Sequence, residues 1–323
     1  MTLLLKEKDI RPLLTMARAL PALEEAFLSV ARGEAVNIPR SRGALAHATM
    51  NSMGAISTAL DLMGVKVYPI VRSDVTVGSS FQVLVYRVST GALVGVLEAE
   101  HLAQIRTGAA SGVASKFMAR PDSRVMTLFG AGWQARAQLD AITRVLPKLE
   151  RVYVVGRSPE RVQQFCSELG RDTRCELVPS TDAQRAVMAS DVITTVTGSA
   201  TPVFDGQWLR AGTHINAVGS NFAEKQEIDA ATVARARRII ADDVDVAKIE
   251  CGDLLHPSAA AAFAWDNVKP LSDVVAGVAP GRVAADEITL FESQGIGLED
   301  IAMAHVILEQ AVLSGAGMDI PLQ

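Results

Sequence analysis

The sequence predicts an α/β chain in which a doubly wound parallel sheet follows an α+β unit, and three observations predict it. From residue 124 onward, short apolar runs at 125–129, 152–155, 192–197, 214–218 and 238–241 alternate with helical stretches, the pattern of parallel strands buried on both faces. Upstream, residues 38–98 carry consecutive β-rich runs around short glycine-containing turns, which is the pattern of hairpins. Between the first apolar run and its helix stands Gly130-x-Gly132-x-x-Ala135, a turn found where a parallel strand feeds a helix.

The elements follow in order. Leu13, Leu14, Ala17, Leu20, Leu23, Ala26 and Phe27 recur at helical spacing, so the chain to about Arg32 is expected to be helical throughout. Val65-Lys66-Val67-Tyr68 and the run from Phe81 to Val88 read as strands. The second is closed by Ser89-Thr90-Gly91 into a hairpin with residues 92–97. Residues 101–119 read as a helix rich in small side chains, Gly108 to Gly112 and Ala114, which admit a ligand or another backbone. Pro121-Asp122-Ser123 breaks it. A helix is expected over 134–146. Another starts at Ser158-Pro159-Glu160, with serine as N-cap and proline in the first turn, and stops near Gly170. The last helix spans 298–313. Asp242, Asp243 and Asp245 read as a solvated loop.

A chain of 323 residues suggests two domains, and with 49% apolar residues it can bury a large core. The net charge of −5, without a basic stripe, argues against nucleic acid as a partner. Three cysteines without a CxxC suggest neither a disulfide framework nor a structural zinc site. The five histidines show no metal-ligand spacing, no GxSxG elbow is present, and no apolar run is long enough to span a bilayer. The expected setting is the cytoplasm.

The turn carries chemistry. Gly130 allows the tight bend, Gly132 lets backbone amides approach a pyrophosphate, and Ala135 allows the helix to pack on the strand. The helix N-terminus adds positive potential. Ala131, Trp133 and Gln134 complete this dinucleotide loop, and Thr107, Thr195 and Thr197 are expected to join it. At the end of the second strand, where an acidic residue would bind a ribose 2′-hydroxyl, the chain has Gly156-Arg157-Ser158. A guanidinium there favours a 2′-phosphate, hence NADP; stacked on the adenine, it would suit NAD equally.

Arg106, just upstream, can clamp a carboxylate bidentately. Lys66 sits between two valines on its strand, so it faces away from them. If that face lines a cleft, its ammonium binds a carboxylate or protonates a nitrogen; if the face is open, it is a solvated charge. Arg40, Arg42, His47 and Arg72 add cations to the same part, either as scattered surface charge or as an anion site fit for a second carboxylate.

With Gly64-Val65-Lys66, the run from Arg106 to Ser111, the turn at Gly130, the run from Gly212 to Gly219, Gly252-Asp253-Leu254, residues 286–293 and Leu298-Glu299-Asp300-Ile301-Ala302, the chain resembles the ornithine cyclodeaminase/mu-crystallin family over nearly its whole length. The resemblance implies a homodimer of two-domain subunits. A substrate and dimerisation domain would comprise residues 1–120 with 305–323, and a Rossmann domain residues 121–304. It implies that Arg40, Lys66 and Arg106 hold a substrate carboxylate. It also places Ser293 and the loop Val218-Gly219-Ser220-Asn221 near a nicotinamide. The resemblance implies that ornithine cyclodeaminases, and some relatives that act as alanine dehydrogenases, carry an aspartate where this chain has Asn221, and an amide cannot act as a base. The expected activity is therefore NAD(P)H-dependent reduction of a small anionic α-imino acid or cyclic ketimine, such as iminosuccinate, Δ1-pyrroline-2-carboxylate or Δ1-piperideine-2-carboxylate. Arg106, Lys66 and Asn221 would be the catalytic residues, and the reverse reaction would be an amino-acid dehydrogenation. The rivals are an ornithine- or lysine-type cyclodeaminase and a non-catalytic, mu-crystallin-like binding protein.

Overall fold

The computed structural model describes residues 2–71, 80–256 and 261–321. The chain divides into two compact units, residues 1–106 with 296–323, and residues 107–295.

The first unit is built on a seven-stranded mixed sheet. Its elements are β1 (Thr2–Leu5), α1 (Glu7–Leu13), α2 (Met16–Ala31), β2 (Ala35–Leu45), β3 (Ala48–Ser57), β4 (Leu62–Val71), β5 (Gln82–Arg87), β6 (Leu93–Glu98) and the start of α3 (Glu100–Met118). From the C-terminal end come the helix α11 (Gly297–Ser314) and β15 (Met318–Ile320). The strand order is β15-β1-β6-β5-β4-β3-β2, antiparallel except for the parallel pair β1 and β6. The hairpins form as the alternation predicts. The start of the chain does not stay helical: residues 2–5 are a strand, held between β6 and β15. Local spacing cannot reveal it, because both partners are remote in sequence. The buried stripe of α2 is Met16, Ala19, Leu23, Ala26 and Phe27; it shares Leu23, Ala26 and Phe27 with the expected face but replaces Ala17, which is exposed, and Leu20, which is half-buried, and α2 packs with α11.

The second unit is an eight-stranded parallel sheet. Its strands and helices are β7 (Val125–Phe129), α4 (Trp133–Val145), β8 (Arg151–Val155), α5 (Pro159–Leu169), β9 (Glu176–Ser180), α6 (Ala183–Ala189), β10 (Val192–Thr195), β11 (His214–Ala217) and α7 (Ala230–Arg235). These are followed by β12 (Arg238–Ala241), α8 (Val244–Glu250), α9 (Gly252–Leu255), β13 (Val268–Pro270), α10 (Leu271–Val275) and β14 (Thr289–Glu292). The order β13-β12-β14-β11-β10-β7-β8-β9 reverses direction between β7 and β10, the switch point where such sheets bind ligands. Both faces are dry. Val192 packs with Met126 and Leu128, whereas its neighbour Ile193 packs with Ile215 and Leu290 in a separate cluster. That is why these strands read as unbroken apolar runs. Ser158 caps α5 by accepting the Arg161 amide, as its sequence predicts. His214 is a core residue, bonded to Thr289 and Asn216, and burial lowers its pKa to about 3, so it stays neutral.

The units divide inside α3 and just before α11, whereas the expected boundaries lie at 120/121 and 304/305. Packing explains both positions. A side chain on Gly108 would collide with the backbone of Ala137 in α4, so the small-residue run of α3 serves close helix packing within the second unit. The first turn of α11 carries the counter-ions of the first unit. No helix among the described residues is long and apolar enough to cross a membrane.

Candidate functional site

In the second unit, β7 ends at Gly130, which holds φ +113°; a Cβ there would lie 2.6 Å from the Val196 carbonyl oxygen. Only glycine fits both constraints. Gly132 is the N-cap of α4, and nothing lies within 4 Å of a Cβ added to it, so the first amides of the helix face open space. Ala135 is fully buried among Met126, Leu128 and Val152. The turn is therefore tight at Gly130, open at Gly132 and packed at Ala135, the three features a dinucleotide would require.

A cavity of about 720 Å³ opens beside this turn, at the ends of β7, β8 and β10. Gly130, Ala131, Gly132, Gly156, Arg157, Ser158 and Thr197 line it, and Arg161, one helical turn beyond Arg157, joins them. Among the described lining residues none is acidic. The sequence signal for Arg161 was its place in the first turn of α5. Other expected members sit elsewhere. Trp133 is exposed, and Gln134 reaches the Thr107 hydroxyl at 3.5 Å. Thr195 is fully buried at the end of β10, behind the wall rather than on it. Val218, Gly219, Ser220 and Asn221 form a half-buried loop after β11. Ser293 is buried and its hydroxyl lies 3.4 Å from Asp242.

Asp242 is not solvated as its sequence suggested. It is 3% exposed, and one carboxylate oxygen accepts the amides of Gln294 and Gly295. It belongs to a set of buried acids that local sequence did not reveal, with Glu227, Asp253 and Glu292. Glu227 accepts the Thr197 amide at 2.6 Å with one oxygen, which the Thr197 hydroxyl shares, and the Gly219 amide at 2.7 Å with the other. Asp253 Oδ1 accepts the amides of Glu227 and Ile228 at 2.6 and 2.9 Å. Burial, reinforced by Glu227, raises Asp253 to about 7. Burial and the neighbouring acids push Glu292 well above the carboxylate range; it accepts from the Cys251 thiol.

In the first unit, strand register sets the cations in rows. Lys66 on β4 pairs with Met53 on β3, whose sulfur lies 3.7 Å from Arg40 Nη2. In the next row Arg42 donates to Asn51 at 2.9 Å, opposite Tyr68. Lys66 is only 1% exposed, which settles the two readings of its strand face against solvation. Its ammonium contacts both oxygens of Asp300, at 2.8 and 2.7 Å. Arg106 donates to Glu299 at 2.7 Å, with its Nε 3.5 Å from Asp300. The result is a buried quartet of two cations and two carboxylates. Burial lowers Lys66 to about 8, with Arg106 and Arg40 pushing the same way and Asp300 opposing. Burial also works against the Arg106 charge, but Asp300 and Glu299 outweigh it and raise its pKa. Lys66, Arg106 and Arg40 are thus brought together as expected. His47 is not among them, being exposed in the turn between β2 and β3, and Arg72 lies outside the described residues. Glu299 and Asp300 were missed as site residues; their signal was two adjacent acids at the head of an otherwise apolar helix.

The family model for the ornithine cyclodeaminase/mu-crystallin family matches residues 1–315. The iminosuccinate reductase of Paracoccus denitrificans is 32% identical over 328 residues, 99% of this chain and all of the relative. Its structure in complex with NAD+ aligns with TM-score 0.90 at 30% identity over 99% of each chain. The Δ1-pyrroline-2-carboxylate reductase of Thermococcus litoralis, in complex with NADH and L-proline, aligns with TM-score 0.93 at 30% identity over 99% of this chain and all of that one. An archaeal alanine dehydrogenase dimer with bound NAD gives TM-score 0.93 at 29% identity over 100% and 99%. The match spans nearly the whole chain, and the chain belongs to the ornithine cyclodeaminase/mu-crystallin family.

Proposed function

We propose that this chain is an NAD(P)H-dependent reductase of a small α-imino acid, giving an L-amino acid and running in reverse as an amino-acid dehydrogenase. The observation that carries the reading is the convergence of Arg40, Lys66 and Arg106 in the first unit, with the lysine tuned to about 8. Arg106 and Arg40 offer a substrate carboxylate charge and fixed donor geometry. Lys66 is the proton donor to the substrate nitrogen, since an ammonium of pKa near 8 is charged at neutral pH yet gives up its proton readily. Asp300 and Glu299 hold these cations in place before substrate arrives. When bound, the nicotinamide supplies a hydride to the carbon of the C=N bond. Asn221 supports reduction over cyclodeamination, because its amide cannot take a proton from an amine. The relatives that reduce iminosuccinate and Δ1-pyrroline-2-carboxylate support the substrate class, and Arg42 favours an imine with a second carboxylate.

For the cofactor, Arg157, Arg161 and Ser158 at the end of β8, without an acid among the described lining residues, support NADP over NAD. A homodimer is supported by the exposed Val36, Ile38, Leu45 and Met50 of the β2–β3 hairpin and by the dimeric archaeal relative. A cytoplasmic setting follows from dependence on a reduced nicotinamide cofactor. The test follows loss of NADPH and NADH absorbance with iminosuccinate, Δ1-pyrroline-2-carboxylate and Δ1-piperideine-2-carboxylate. Turnover of at least one, faster with NADPH, is expected; turnover of none removes the reading.

A further inference from the structure

We propose that Glu227 is a positioning residue that ties two cofactor-side loops of the second unit into one platform. The inference rests on the dinucleotide reading above and concerns the nicotinamide half of that ligand.

One Glu227 oxygen holds the amide and hydroxyl of Thr197, just beyond β10; the other holds the amide of Gly219, just beyond β11. Those strands are neighbours in the sheet, so their ends are already aligned by Thr195↔Ala217. What the sheet does not fix is the chain that leaves it. A single carboxylate spanning both departures sets the height of each loop relative to the other. A carboxylate is the group that fits, because it offers two acceptors and no donor, and the Thr197 amide and hydroxyl and the Gly219 amide all donate.

Glu227 is itself immobilised. It is fully buried, and Asp253 Oδ1 accepts both its amide and that of Ile228. Asp253 is placed by Gly252, where any side chain would collide with the carbonyl of Lys225. Gly219 is likewise required, since a methyl there would occupy the Glu227 carboxylate. The glycines and acids around the 219–228 loop therefore read as one clamp. Its target is the pair of segments that carry Thr197 and Ser220-Asn221, while the phosphate turn at Gly130 is built separately by β7 and α4.

The division predicts a split between binding and turnover. Glu227→Gln keeps the shape but turns one acceptor into a donor that faces an N–H. Glu227→Asp keeps the charge but is too short to reach both loops, and it serves if the glutamine variant fails to fold. Expected for either variant is a drop in kcat per folded subunit of roughly 10- to 100-fold, the range for groups that orient a site from behind. The Kd for NADPH should change less than about threefold, because the phosphates are held elsewhere. Hydrogen exchange should accelerate in peptides containing Thr197 and Gly219 and not in those from β7 or α4. A merely structural role would lower Tm and raise exchange throughout the unit, leaving kcat per folded subunit unchanged. A kcat within twofold of the parent, in a variant that folds, overturns the inference. If the parent protein binds neither NADPH nor NADH, the dinucleotide reading itself fails, and exchange at Thr197 and Gly219 would still report whether the clamp exists.

Discussion

The two units present positive groups by opposite means. In the second, the dinucleotide turn offers backbone amides at the head of α4, glycines that keep space open, and an exposed cavity whose described lining is neutral or basic. In the first, Lys66 and Arg106 are dry, already paired with carboxylates, and tuned by burial. Amides and a helix terminus carry partial charges that cost little to desolvate, so a phosphate site can be left open. Full charges out of water must be compensated at once. The comparison teaches that buried Lys66 and Arg106 are assembled together with Asp300 and Glu299, so that the acids are as much a part of the cluster as the cations.

The largest test removes a counter-ion. Asp300→Ala leaves Lys66 buried and uncompensated, and should cost about 3–5 kcal/mol of stability, read as a fall in denaturant midpoint. A loss under about 1 kcal/mol would show that water or Glu299 replaces Asp300, and the contrast between the units would weaken. The second test sharpens the role of Lys66 through pH. Its folded pKa of about 8 lies below the ordinary 10.5, so between those values the unfolded chain binds more protons. The stability contribution of this group therefore rises as pH climbs through that window, and the cost of burying the charge is fully present below 8. Activity has the opposite slope. If Lys66 donates the proton, reduction needs its ammonium, so kcat/KM should fall about tenfold per unit above pH 8, while amino-acid oxidation gains. Lys66→Arg should abolish that limb; its persistence would assign the proton to another group. The smallest test probes the open side. Arg157→Ala should weaken NADPH by roughly 10- to 100-fold and NADH by less than about threefold, if the guanidinium meets a 2′-phosphate. Equal weakening of both would mean that it stacks on the adenine.

What could be read in the sequence divides along the same line. The Gly130 turn is local: strand, glycines and helix lie within a few residues, and each is specified by backbone constraints that a sequence displays. Lys66 and Arg106 stood out because charges are rare in apolar or small-residue surroundings. Their partners did not, because Asp300 and Glu299 lie at the far end of the chain and nothing local says which cation an acid will meet. Asp242 failed for a related reason: acids that bind backbone amides look, in sequence, like acids that bind water. Strand β1 was missed because its pairing depends on β15 and β6. Glu227 was hidden, and Asp253 stood in a family motif without a role, because each binds amides of loops with no pattern of their own.

The first unit is discontinuous in the chain, with α11 and β15 completing a sheet begun by β1. This sets an order of events during synthesis. Residues 107–295 emerge as one uninterrupted segment and can collapse while translation continues. The first hundred residues cannot finish, because Lys66 and Arg106 wait for two acids that follow them by 234 and 193 residues. Until then the nascent chain carries Lys66 and Arg106 without Asp300 and Glu299, and a truncation before Glu299 leaves it that way for good.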